Sequence, residues 1–168
     1  LYDCNPPGQR NSSPLSSSKP DAGNGAGAAA TAPDTSPHRA IRSFVVRAGR
    51  MTGAQERAWR ELWPALGIEN SEAPLDFTAA FGRDAPVVLE IGFGNGESLV
   101  ALASAHAERN YLGLEVHPPG VGHLLLCCEA GKLRNVRVIC DDAVQVLQRR
   151  VPDASLDEVL LYFPDPWP

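Results

Sequence analysis

Residues 87–99 decide the fold of this chain, and they read Val87-Val88-Leu89-Glu90-Ile91-Gly92-Phe93-Gly94-Asn95-Gly96-Glu97-Ser98-Leu99. An apolar run ends in an acid, three glycines then alternate with other residues, and a helical pattern follows. This order predicts a buried strand, a tight turn and a helix whose N-terminus faces a ligand. Because glycine is favoured where a backbone turns sharply or approaches a ligand closely, we expect Gly92, Gly94 and Gly96 to bind a cofactor.

The spacing of this turn favours one class of ligand over another. A dinucleotide site has the pattern G-x-G-x-x-G, in which backbone amides hold a pyrophosphate. Here the pattern is acid-x-G-x-G-x-G, one residue shorter, with the carboxylate of Glu90 at the end of the strand. A carboxylate there suits a ligand with an ammonium group and hydroxyls, and S-adenosylmethionine is such a ligand. An ordinary strand–helix turn is the alternative.

The composition limits the classes of protein to which the chain can belong. The chain has 168 residues, enough for one domain with a core, and it has no apolar run of membrane-spanning length. We therefore expect a cytoplasmic protein that is not bound to a membrane. The four cysteines lack metal-type spacing, so we expect reduced thiols and no metal site. Because the chain begins at Leu1 and stops at Pro168, directly after an aromatic turn, we expect both ends to be cut.

The charge of the chain is unevenly distributed. The net charge of −5 argues against indiscriminate nucleic-acid binding. Residues 39–70, however, carry six arginines against three glutamates, whereas residues 71–168 carry seven basic against fourteen acidic residues. A basic patch ahead of an acidic domain is compatible with a polyanion as partner. Arg42, Arg47 and Arg50 are the candidates for contacting phosphates, and a solvated basic loop is the alternative.

The chain divides into three parts. Residues 1–38 are rich in Pro, Gly, Ser, Ala and Thr, which predicts a disordered tail. Residues 39–85 hold the basic segment, a helix that begins with a capping box of Thr52 and Gln55 and ends at Pro64, and a connector. Residues 86–168 then alternate strands and helices.

Apolar strands are predicted at 86–91, 110–116, 135–140 and 156–163, and the helices between them are amphipathic. This alternation predicts an α/β fold with a doubly wound, Rossmann-like parallel sheet. The helix residues expected to point inward are Leu99, Leu102, Ala103, His106, Val121, Leu124, Leu125, Cys128, Val144 and Leu147. Gly131 is expected to cap one helix, and His106 and His123 are expected to pack.

Each predicted strand delivers an acid at its carboxyl end, where ligands bind in such sheets. Glu115 suits two ribose hydroxyls, or else it is a plain carboxylate at a helix N-terminus. Asp142 either contacts an adenine edge or caps its helix. Asp165, in a rigid Pro-Asp-Pro-Trp turn, either holds a planar base or belongs to a proline-rich strand exit.

The chain resembles the tRNA (guanine-7) methyltransferase family, which has the class I S-adenosylmethionine-dependent methyltransferase fold. The matching pieces occur in the family's order and are Arg42 to Thr52, Leu89 to Ser98, Gly113 to Gly122, Asp142-Ala143, and Phe163 to Pro168. The resemblance implies that Glu90, Glu115 and the Asp142-Ala143 pair contact S-adenosylmethionine. It also implies that Asp165 lies in the active site, and that strands completing the sheet and a basic stretch follow Pro168.

The resemblance implies transfer of a methyl group to the 7-position nitrogen of a guanosine in the variable loop of tRNA. The partner would then be tRNA, and the protein would be a monomer or a homodimer. One alternative is an amino-group methyltransferase, whose Asp/Asn-Pro-Pro-aromatic turn differs from Asp165-Pro166-Trp167. Another is a module that binds the cofactor or RNA without catalysis. Without further strands, residues 156–163 would form an exposed apolar edge, and we expect poor solubility.

Overall fold

A parallel four-stranded sheet forms the centre of the computed structural model, which describes residues 49–162. Its strands are β1 (Val87–Ile91), β2 (Asn110–Leu114), β3 (Val136–Ile139) and β4 (Glu158–Leu161). Each predicted strand is confirmed, with ends slightly shorter than the apolar pattern. The order across the sheet is β3-β2-β1-β4, so the chain winds outward from β1 to β3 and then returns to the other side of β1.

Helices cover both faces of this sheet, which confirms the doubly wound α/β architecture. They are α1 (Gly53–Leu66), α2 (Phe77–Phe81), α3 (Glu97–Ala105), α4 (Pro118–Gly131) and α5 (Ala143–Arg149). Successive strand residues point to opposite faces. Val88 and Tyr111 therefore pack with α1, α3 and α4, whereas Leu89 and Leu112 pack with α2 and α5. Among the described residues, no helix is long and apolar enough to cross a membrane.

The capping box that opens α1 is confirmed. The Thr52 hydroxyl accepts from the Gln55 N–H at 3.3 Å, and the Gln55 side chain accepts from the Thr52 N–H at 2.8 Å. The prediction that Pro64 ends this helix is wrong, since α1 continues to Leu66. Proline removes one backbone donor, but Trp63 and Leu66 are both buried, and their packing keeps the last turn helical.

The structure corrects two predictions about inward-facing helix residues. His106 is exposed, because α3 ends at Ala105 and His106 is only its C-terminal cap. Val144 is 45% exposed, and Val146 is buried in its place. The apolar residues of α5 allow two different stripes, and the one that packs on the sheet contains Val146 and Leu147.

The cap of α4 is also corrected. Lys132, with a φ of 53°, takes the left-handed conformation expected of Gly131, which is the last residue of the helix. The Leu133 N–H donates to the Cys128 carbonyl at 3.0 Å, and Leu133 packs against the core. The turn therefore falls one residue later than the glycine suggests, where it brings Leu133 onto the apolar cluster.

Candidate functional site

The candidate site lies at the carboxyl end of β1, where the strand order of the sheet reverses. In β1, Glu90 is in register with Gly113 of β2 and with Leu160 of β4. Ligands of open parallel sheets bind in the crevice at such a reversal. The predicted strand-end acid and the glycine turn that follows it therefore lie at the position this fold uses for binding.

The carboxylate of Glu90 is buried without a full set of partners. The residue is 2% exposed, and its Oε2 atom has no hydrogen-bond partner among the described residues. Burial raises the pKa of this carboxyl above its ordinary value. A buried acceptor without a donor costs free energy, so this oxygen marks a place for a donor from outside the described chain.

The glycine turn has the backbone conformation that its sequence predicts. Gly92, Gly94 and Gly96 have φ values of 67°, 61° and 80°, a region that other residues rarely adopt. A Cβ on Gly92 or Gly94 would meet no atom within 4 Å, so space is open above the turn. Gly96 is the N-cap of α3, and no side chain caps that helix.

Glu115 holds the backbone around it. Its Oε1 atom accepts from the N–H groups of Val116 at 2.7 Å and His117 at 3.0 Å. Its Oε2 atom accepts from the N–H of Gly94 at 2.8 Å, so the acid that follows β2 is tied to the glycine turn that follows β1. The structure thus brings two of the predicted site residues, Glu115 and Gly94, into direct contact.

Helix α4 packs directly against the glycine turn and supports it. A Cβ on Gly120 would lie 2.2 Å from the carbonyl oxygen of Gly94, so only glycine allows this approach. A Cβ on Gly96 would lie 2.7 Å from the Leu124 side chain, and Nδ1 of His123 is 2.9 Å from the carbonyl oxygen of Asn95. Gly120 is not among the site residues predicted from the sequence, and His123 is predicted there only to pack. A glycine early in a helical pattern was the available signal, since helices disfavour it without a packing reason.

Asp142 and Ala143 lie at the start of α5. Oδ1 of Asp142 accepts from the Val144 N–H at 2.9 Å, so the capping alternative for this residue is confirmed. Ala143 is half-buried and packs against the apolar cluster below the sheet. A contact of this pair with an adenine stays a prediction.

The segment before α1 reaches the carboxyl end of the sheet. A Cβ on Gly49 would lie 2.6 Å from Nε2 of His117, and the side-chain amide of Gln55 donates to the Pro119 carbonyl at 3.0 Å. Arg50, the residue after Gly49, is exposed. A basic residue therefore lies near the same edge of the sheet as Glu115, which follows β2 and precedes His117 by two residues.

A separate cleft of about 690 Å³ lies at the opposite, amino-terminal edge of the sheet. Two of its polar side chains already serve the fold, since Arg83 donates to Asn110 at 2.7 Å and Asp157 accepts from the Val87 N–H at 2.7 Å. This cleft lies away from the acids and glycines at the carboxyl ends, and we assign no chemistry to it.

A family described as "Putative methyltransferase" matches residues 84–168, which is half of the chain and includes the glycine turn. The chain belongs to this methyltransferase family.

Curated relatives refine the comparison with this methyltransferase family. A tRNA (guanine-N(7)-)-methyltransferase from Klebsiella pneumoniae is 58% identical over 131 residues, which cover 78% of this chain and 55% of the relative. A tRNA (guanine-N(7)-)-methyltransferase from Alkalilimnicola ehrlichii is 60% identical over 132 residues, covering 77% of this chain and 56% of that one. The chain thus spans about half the length of these relatives. Among solved structures, an antibiotic-related methyltransferase matches with a TM-score of 0.44 and 19% identity, over 60% of this chain and 49% of that one.

Three predicted site residues of this chain lie outside the described residues, namely Arg42, Arg47 and Asp165. Within residues 49–162, no group of three or more His, Cys, Asp and Glu side chains could hold a metal ion. The described site therefore consists of the turn, the acids Glu90 and Glu115, the start of α5 and the supporting face of α4.

Proposed function

We propose that this chain binds S-adenosylmethionine and forms part of an enzyme that methylates the 7-position nitrogen of guanine in tRNA. The observation that carries the cofactor is the buried Oε2 atom of Glu90, an acceptor without a donor beside an open glycine turn. The acceptor of the methyl group is inferred from relatives that are named tRNA (guanine-N(7)-)-methyltransferases.

The residues of the site fit this cofactor. Glu90 would accept from its ammonium group, which supplies both a donor and a positive charge to a desolvated carboxylate. Gly92, Gly94 and Gly96 would let it approach the backbone, since a side chain at either of the first two would fill the open space. Asp142 and Ala143 would lie beside the adenine.

Glu115 has acceptor capacity left for a ribose hydroxyl. A carboxylate offers about four acceptor positions, two on each oxygen. Backbone donors fill both positions on Oε1, but Gly94 fills only one on Oε2. A ribose hydroxyl can therefore donate to Oε2 while the bond to Gly94 persists, so binding need not open the turn.

The methyl transfer depends mainly on how the cofactor and the guanine are positioned. When bound, S-adenosylmethionine supplies a methyl group on a positively charged sulfur, and the 7-position nitrogen of guanine has a free lone pair. No strong base is needed, so the protein contributes orientation and electrostatic stabilisation. We assign Asp165 to the guanine, where its carboxylate would accept from the amino or imino edge and stabilise the positive charge that develops on the base.

The tRNA would approach from the carboxyl edge of the sheet. Arg50 is exposed there, and it follows Gly49, where an added Cβ would meet the ring of His117. Together with Arg42 and Arg47 it would bind phosphates, for which guanidinium groups are well suited.

Product analysis tests this function. The enzyme of which this chain forms part is incubated with S-adenosylmethionine and unmodified tRNA, and the tRNA is digested to nucleosides for mass spectrometry. We expect 7-methylguanosine, and we expect Asp165→Ala to abolish it while Asp153→Ala, at an exposed acid, leaves it unchanged. A methyl group on an exocyclic amine would instead identify an amino-methyltransferase. Cofactor binding without transfer to any RNA would identify a non-catalytic module.

A further inference from the structure

His123 connects α4 to the glycine turn by a hydrogen bond. Its Nδ1 atom is 2.9 Å from the carbonyl oxygen of Asn95, which lies 28 residues earlier in the sequence. A carbonyl oxygen can only accept, so Nδ1 must carry the hydrogen. Both the neutral tautomer with this hydrogen and the imidazolium satisfy the contact.

Within the turn, a backbone hydrogen bond from the Gly96 N–H to the Phe93 carbonyl at 2.9 Å restrains the chain, and the contact with His123 adds a second restraint at Asn95. Three glycines in five residues lose more conformational freedom on ordering than any other residue type would. Glu115 holds the N–H of Gly94, and Leu124 lies under Gly96. Asn95 lies between these two points with its side chain exposed, and His123 fixes its carbonyl.

The neighbours of His123 keep its ring in this position. The residue is half-buried on α4, and the Sγ atom of Cys127, one turn further along, is 3.7 Å from the same Nδ1 atom. Gly120, one helical turn earlier in α4, has no side chain, so the glycine turn can come close to the helix. The ring thus occupies the gap between the helix and the turn.

We propose that His123 is a positioning residue for cofactor binding, which preorganises the glycine turn through the carbonyl of Asn95. The proposal rests on the proposed function, because it assigns the cofactor to this turn. A hydrogen bond of this kind that orders a loop before binding should improve affinity about fivefold. His123 would not touch the cofactor itself.

The test compares four variants of the full chain by calorimetric titration with S-adenosylmethionine. His123→Ala removes the donor, His123→Phe keeps a ring without a donor, and His123→Asn keeps a side-chain N–H near the position of Nδ1. His106→Ala is the control, because His106 is an exposed histidine at the end of α3. We expect the Kd to rise about fivefold for Ala and Phe, and to stay near the wild-type value for Asn and for the control.

Amide hydrogen exchange at residues 94–96, measured without cofactor, gives a readout that is independent of binding. We expect faster exchange in His123→Ala and His123→Phe than in the wild type, with protection restored in His123→Asn. If all His123 variants bind S-adenosylmethionine as tightly as the wild type does, the positioning role is wrong although the cofactor function stands. The same conclusion follows if His123→Asn weakens binding as much as His123→Ala. If the wild type does not bind at all, the proposed function fails, and unchanged exchange in the Ala and Phe variants would then reject the tether as well.

Discussion

Glu90 is a carboxylate in an apolar part of the sheet, and that position sets its chemistry. Burial raises the pKa of the carboxyl, because the charged form loses hydration and Oε2 gains no donor in return. The neutral form is therefore favoured in the folded protein relative to the unfolded chain. The stability that this group contributes is complete below the ordinary glutamate pKa and is lost as the pH rises through the raised pKa.

Glu90→Gln should stabilise the protein at neutral pH. The amide has the shape of the carboxyl but no charge to desolvate, so we expect the free energy of unfolding to rise by about 1 kcal/mol. Below the ordinary glutamate pKa, where the carboxyl is protonated in both states, the advantage should largely disappear. Urea denaturation of the variant and the wild type, at neutral pH and below the ordinary glutamate pKa, measures the difference in their free energies of unfolding at each pH. A variant that is less stable at neutral pH would contradict the unpartnered state of Oε2.

Glu115 is a residue whose location the sequence predicts but whose hydrogen bonds it does not. Its place after an apolar strand predicts an acid at the binding edge, and the structure puts it there. The sequence pattern contains no sign that its carboxylate already accepts from Gly94, Val116 and His117. Those contacts depend on how the two loops approach each other in space.

Helix α4 acts as the support of the glycine turn, and Gly120 is the residue that allows it. Alanine in a helix is ordinarily more favourable than glycine by about 1 kcal/mol. In Gly120→Ala, however, the new Cβ would overlap the carbonyl oxygen of Gly94. We expect weaker S-adenosylmethionine binding, measured by calorimetry, because the turn must move away from its position.

Gly53→Ala is the matched control for that substitution. Gly53 also lies in the first turn of a helix, and a Cβ there would meet no atom within 4 Å. It should leave binding unchanged and the melting temperature equal or higher. Equal affinity in Gly120→Ala and Gly53→Ala would remove the support role from α4.

The connector between α1 and α2 is fixed by an arginine at the end of α5. Arg150 is 5% exposed, and its guanidinium donates to the carbonyls of Ala73 at 3.3 Å and Glu69 at 3.1 Å. The neighbouring Arg149 is exposed and pairs only loosely, at 3.4 Å, with the exposed Glu72. Adjacent arginines therefore have different roles.

Arg150→Met should lower the free energy of unfolding by about 2 kcal/mol, since two carbonyls lose their donors. Arg149→Met should change it little, because exposed ion pairs contribute little to stability. Chemical denaturation of both variants makes the comparison. Equal losses would mean that the connector does not depend on Arg150.

At the scale of elements, the sequence predicts the type and order of the β-α repeats, because the strands are apolar and the helices amphipathic. It fails where two stripes compete, as between Val144 and Val146, or where packing overrides a local signal, as at Pro64. The contacts of Gly120 and His123 with the turn span 26 and 28 residues along the chain, and no local pattern contains them.

At the scale of the whole molecule, the described sheet ends at β4, and that strand carries apolar side chains to solvent. Val159 is 53% exposed and Leu161 56%, and Tyr162, the residue after the strand, is 45% exposed. An exposed apolar edge strand favours pairing with another chain. The predicted exposed apolar edge is therefore present among the described residues.

The chain should associate through this edge in a concentration-dependent way. We expect Leu161→Lys to reduce association, and we expect Val144→Lys, at an exposed apolar residue on α5, to leave it unchanged. Sedimentation velocity over a range of concentrations measures both. A wild-type chain that stays monomeric throughout, or equal association in both variants, would contradict this role of β4.

In the proposed function, S-adenosylmethionine binds at the carboxyl end of β1, and its binding depends on Glu90. Calorimetric titration of this cofactor into the wild-type chain and into Glu90→Ala tests it most directly. We expect one binding site in the wild type and a large loss of affinity in the variant, with the fold of both checked by circular dichroism. No binding by a folded wild type, or equal binding by both, would contradict it.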